Sequence, residues 1–83
     1  MAIKYYEMRE RAAKYVKENE KELRKNYGDS YVAVHAEGKI VDWDVQEERL
    51  TKRVGAVYVN DFVLINTIDG IINDELKNAE RKK

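Results

Sequence analysis

Cysteine and proline are both absent from this chain, and there is one His, one Trp, one Phe and one Gln. Without Cys there is no disulfide staple, thiol nucleophile or zinc–thiolate site, which favours an intracellular, cytoplasmic protein. No apolar run approaches the roughly 20 residues of a membrane span, so no membrane role is expected. No signal peptide is visible either, because residues 1–9 carry charge and aromatics in place of an apolar segment. The four glycines (Gly28, Gly38, Gly55, Gly70) are scattered as punctuation and form no phosphate-cradling loop. No cofactor is implied.

What is abundant is charge. Charged residues make up 39% of the 83, with a net charge of zero. A charge-dense, thiol-free, Gln-poor composition fits a thermophile. The zero hides an uneven distribution. Residues 1–27 hold 8 basic and 5 acidic side chains, residues 28–75 hold 4 and 10, and residues 76–83 hold 4 and 1. Basic ends therefore flank an acidic centre. Attraction between the ends and the middle is one reading, and a basic patch made by both termini is another. A chain of this length makes one domain, residues 1–83, with one modest core.

Residues 4–27 read as one long helix. Tyr5, Met8, Ala12, Tyr15, Val16, Asn19, Leu23 and Tyr27 recur at steps of three and four. Gly28 stands where a helix C-terminus wants positive φ. A helix of that length spans about 36 Å, against about 30 Å for a domain of this size. One end must project or find a partner, and Tyr5, Met8, Ala12 and Tyr15 are the candidate interface.

Tyr31–Asp44, YVAVHAEGKIVDWD, reads as a hairpin over 31–43 about a two-residue Glu37-Gly38 turn. That turn sets Val34 opposite Val41 and Val32 opposite Trp43, giving one apolar face. Asp44 and Glu47 form a capping-box-like pair. They open a second helix over 45–59 with a Leu50, Val54, Val57, Tyr58 stripe. Gly55 leaves a rival reading, in which the helix ends there and 56–59 and 62–66 make a second hairpin. Phe62–Thr67 is an almost wholly apolar run, the signature of a strand covered on both faces. Asp69-Gly70 breaks it, and a last helix follows over 71–81. The expected fold class is α+β, in the order α-β-β-α-β-α. A small three-stranded mixed sheet, order 2-1-3, carries its helices mainly on the Trp43 face.

Three constellations could carry chemistry. His35 lies opposite Ile40 and diagonal to Asp42 in this register, and a His–Asp contact could orient a general base. No nucleophile accompanies it: Ser30 starts a strand, and Thr51 and Thr67 lack placement. Asp42, Asp44, Glu47 and Glu48 make an acidic knot of the kind hard cations favour, but without the spacing of a calcium loop. His35, Asp42 and Asp44 are thus the candidate polar site of an enzyme or metal reading, with no metal assigned. Lys77, Arg81, Lys82 and Lys83, with Lys4, Arg9, Arg11 and the Tyr5 and Tyr6 rings, could contact nucleic acid. The sequence pI of 6.6 and the acidic centre oppose that.

Tyr27-Gly28-Asp29-Ser30-Tyr31-Val32-Ala33-Val34, then Gly38-Lys39-Ile40-Val41, Leu50 and Phe62-Val63-Leu64-Ile65 follow one another in a distinctive order. In this, Leu23 to Ile68 resembles a family of short, mostly archaeal and bacterial domains of unknown function. That family pairs a YxGxYVA-type first strand with a turn, a second strand, a helix and a VLVV-like final strand. The resemblance implies the strand–strand–helix–strand core and supplies no activity or catalytic residues. The first and last helices lie outside it. The reading that results is a non-enzymatic interaction module that self-associates as a homodimer, through the first helix or an open sheet edge. A nucleic-acid-associated regulator and an enzyme or metal site are the alternatives.

Overall fold

The computed structural model describes residues 2–81, with side chains over 6–74. Its elements are α1 (Ala2–Glu18), α2 (Glu20–Tyr27), β1 (Tyr31–His35), β2 (Lys39–Asp44), α3 (Glu47–Val57), β3 (Val63–Thr67) and α4 (Ile68–Arg81). The fold is α+β, as expected. Its first helix is two helices, however. Asn19 leaves helical geometry at φ −117°, ψ 20°. Its side-chain amide donates to the Tyr15 carbonyl at 2.9 Å, which also accepts the Asn19 N–H at 3.1 Å. An Asn side chain that competes for a helix carbonyl bends the rod. The bend lets Val16 of α1 and Leu23 of α2 enter the same core.

The sheet order is β2-β1-β3. Both pairings are antiparallel, which corrects the expected mixed sheet. β2 and β3 run parallel to each other across the α3 connection, but β1 lies between them. Antiparallel neighbours are the result.

The hairpin register is half as expected. Val32 faces Trp43, but Val34 faces Ile40 and His35 faces Lys39. The turn is the cause. Ala36, Glu37 and Gly38 form a three-residue loop, closed by the Gly38 N–H donating to the His35 carbonyl at 2.9 Å. Gly38 takes φ +93°, the positive-φ residue such loops require. The loop slips the register by one residue, and a bulge at Val41 restores it between Ala33 and Val34. Ile40 joins the Val32 and Val34 face, and Val41 moves to the Ala33 face. Trp43 was expected in the buried face. It is 52% exposed, because it sits on an outer strand with the Tyr27 ring as a neighbour, 6.1 Å away between centroids.

Two clusters sandwich the sheet. On one face α1, α2 and α4 bring Ala12, Ala13, Val16, Leu23, Ile68 and Ile71 onto Val32 and Val34. On the other, Leu50 and Val54 of α3 cover Ala33. The helices are thus mainly on one face, with α3 alone opposite. β3 is covered on both faces, Leu64 by the first cluster and Val63 and Ile65 by the second. Gly55 lies inside α3 and does not end it, so no second hairpin forms. The helix is shorter than 45–59. Val45 and Gln46 precede it, and Tyr58 to Asp61 form a turn in which the Asp61 N–H donates to the Tyr58 carbonyl at 3.3 Å.

α4 starts at Ile68, three residues before the expected Ile71. The Thr67 hydroxyl accepts the Gly70 N–H at 3.0 Å, a capping interaction that draws Asp69 and Gly70 into the first turn. A Cβ at position 70 would collide with the Asn66 side-chain amide, so the glycine belongs to a close approach and does not break the helix.

Candidate functional site

The acidic knot is a latch between β2 and α3. Alternation along β2 turns Asp42 and Asp44 toward α3, where one Arg53 guanidinium meets both. Arg53 donates to the two Asp42 oxygens at 3.0 and 3.2 Å, to Asp44 Oδ2 at 2.8 Å and to the Trp43 carbonyl at 3.0 Å. This is the bidentate guanidinium–carboxylate geometry. Arg53 holds the Asp42 carboxyl below its ordinary range, assisted by the Trp43 N–H. The Gln46 N–H, and then Arg53, do the same for Asp44. The Arg53 pKa is raised in turn by Asp42 and Asp44.

The expected capping box is also replaced. Asp44 Oδ1 accepts the Gln46 N–H at 3.0 Å, two residues on, in an Asx turn ahead of α3. Among the described residues no group of three or more His, Asp or Glu side chains could hold a metal ion.

His35 does not meet Asp42. The slipped register sets it opposite Lys39 on one side and Val63 on the other. Its Nδ1 accepts the Glu37 N–H at 3.1 Å, which leaves the Nε2 position to carry the proton in the neutral ring. Asp61 lies 3.8 Å from Nε2, and Glu37 Oε2 lies 4.0 Å from Nδ1. The imidazole lines a cleft of about 290 Å³ with Met8 and Arg11 of α1, Asp61 and Phe62. Ligand sites start near 300 Å³, so the cleft is small. Its carboxylates stand at the mouth, more than half exposed.

The candidate interface on the first helix separates into parts. Ala12 is fully buried in the core, which removes it from any outer contact surface. Tyr15 packs on the same core, and its ring lies 3.5 Å from where a Gly38 Cβ would stand. Met8 is half-buried in the His35 cleft. The Tyr5 side chain lies outside the described residues, as do the side chains of Lys77 and Arg81 and the whole of Lys82 and Lys83. Of the basic residues that are described, Arg9 pairs with Asp74 at 3.5 Å and Arg11 with Glu7 at 3.1 Å. Arg24 pairs with Glu20 at 2.8 Å and Asp69 at 2.5 Å. Arg9–Asp74 and Arg24–Asp69 are the end-to-middle attraction that the charge distribution suggests.

The outer strands remain. Among the described residues β2 and β3 each have a strand neighbour on one side only. All five residues of β3 are half-buried, while Val57 at the end of α3 and Val59 in the connection leading to β3 are 70% and 73% exposed. Sequence reasoning passes over Arg53 and Asp61, whereas the strand order 2-1-3 already places β3 at an edge. The signal for Arg53 is Asp42 and Asp44 two apart on a strand, followed by Arg49 and Arg53 four apart on the next helix. Nothing local signals Asp61. No protein-family model, curated protein or solved structure matches the chain.

Proposed function

We propose that this protein is a non-enzymatic interaction module that assembles with itself, as a dimer, through an open sheet edge. The observation that carries this reading is a three-stranded sheet with both outer strands unpaired among the described residues. An unpaired edge presents a row of backbone donors and acceptors that templates another strand. Self-association covers it in a way a small domain can reach. Two further observations support the reading. Asp42 and Asp44 are engaged in holding α3 to β2. Ala12 and Tyr15 serve the core from within, which favours an edge over the first helix.

The test is light scattering on a sizing column at low and high salt, over a dilution series. A dimer that persists in high salt and dissociates only on dilution is expected, because backbone pairing and apolar contact are screened little by salt. A monomer at every concentration would overturn the proposal.

A further inference from the structure

The two outer strands are not equivalent. β2 is closed to further pairing. It carries Lys39, Asp42 and Asp44 and the bulge at Val41, all devices that discourage edge pairing. Its backbone is also occupied: the Trp43 N–H donates to Asp42 Oδ1 at 2.8 Å and the Trp43 carbonyl accepts from Arg53 at 3.0 Å. β3 lacks the charges and the bulge, and among the described residues its backbone is occupied by a side chain only at Thr67. Its sequence, VLINT, holds no charge, and its five residues pair with β1 without a bulge. Among the described residues no side chain bonds the backbone of Val63, Leu64 or Ile65, while the Thr67 N–H is taken by Asn66 Oδ1 at 2.7 Å.

We propose that two copies of this chain join β3 to β3, antiparallel about Ile65, making one six-stranded sheet in the order 2-1-3-3-1-2. This rests on the self-association proposed above and names its surface. The occupant follows from the strand's own chemistry. A two-fold axis at Ile65 sets Ile65 opposite Ile65 and Val63 of one copy opposite Thr67 of the other. These are β-branched cross-strand pairs on the α3 face, of the kind that stabilises sheets. Leu64 meets Asn66 on the other face. No charge opposes a like charge within the strands, and a two-fold contact requires only such a self-complementary patch. A stable dimer needs about 800 Å² from each partner, more than five residues of strand supply. The antiparallel arrangement brings the connection bearing Val59 toward the second copy's β3–α4 junction, where that exposed valine adds apolar area.

The test is amide hydrogen exchange, read residue by residue by NMR on the full chain, above and below the concentration at which it assembles. The β3 amides that point away from β1 are expected to slow by about tenfold or more on assembly, with β2 amides unchanged. Ile65→Arg should abolish assembly; because it could also unfold the chain, the exchange pattern of the unaltered protein decides. A dimer whose β3 amides exchange alike at both concentrations would overturn this inference and leave self-association standing. A monomer throughout would overturn both.

Discussion

At the scale of the residue, Gly38 and Gly55 should respond to the same substitution with opposite signs. Gly38 sits at φ +93° with the Tyr15 ring beside it. Gly38→Ala is expected to cost about 1–2 kcal/mol, the penalty of a Cβ in left-handed backbone. Gly55 lies on the exposed face of α3 with nothing within 4 Å of a built Cβ. There Ala narrows the unfolded ensemble and suits the helix, so Gly55→Ala should stabilise by about 0.5–1 kcal/mol. Urea unfolding of both variants checks the pair; equal signs would mean that backbone geometry does not govern these positions. Leu50 is fully buried and is the largest buried side chain of the α3 cluster. Leu50→Ala is expected to cost about 2–5 kcal/mol, transfer and cavity together.

At the scale of the element, the β2–α3 latch predicts a response to acid. Asp42 and Asp44 have folded pKa values below their ordinary ones. Their contribution is therefore present above the unfolded carboxylate range, near pH 4. It is lost as pH falls through the depressed folded values, since the unfolded chain binds protons first. Stability should be level from pH 7 to about 5 and decline below about 4. Arg53→Met should lower the melting temperature at pH 7 and flatten that acid decline. An unchanged acid limb would mean that the latch contributes nothing.

Elements of this kind were legible in the sequence to different depths. Gly28, the Val32–Trp43 pairing and the apolar run of β3 follow from local pattern, and all are present. The bend at Asn19 was not legible, because Asn19 fits the helical stripe and only its side-chain bond to Tyr15 reveals the break. The bulge at Val41 hid for a similar reason. A three-residue and a two-residue turn share the same Glu37-Gly38 letters, and a one-residue slip decides whether His35 looks to Ile40 or to Lys39. The partner of His35 depends on that slip and on a turn 26 residues downstream, at Asp61, which no spacing rule connects to it.

At the scale of the whole molecule, the strand order and the placing of most helices on one face are expected from the order and patterning of the elements, and both are present. With that order, and with β2 and β3 parallel across the α3 connection, β1 in the middle already makes both pairings antiparallel, so a mixed sheet is inconsistent with its own strand order. If the molecule assembles, its thermal midpoint depends on concentration, because association stabilises the folded state by mass action. Scanning calorimetry over a hundredfold dilution should show the midpoint fall, whereas an invariant midpoint would indicate an independent monomer. A last consequence lies in how β3 meets α4. Thr67 ends the strand and Ile68 begins the helix with no residue between them, and Ile68 and Ile71 are both buried. The junction has no slack, so it fixes the rotation of α4 as a keyway fixes a shaft. One inserted or deleted residue there would turn the helix by about 100° and swing both isoleucines out of the core. Length changes at this seam should therefore be lethal to the fold, while the turn at Val59 and Asn60, ahead of the strand, should absorb them.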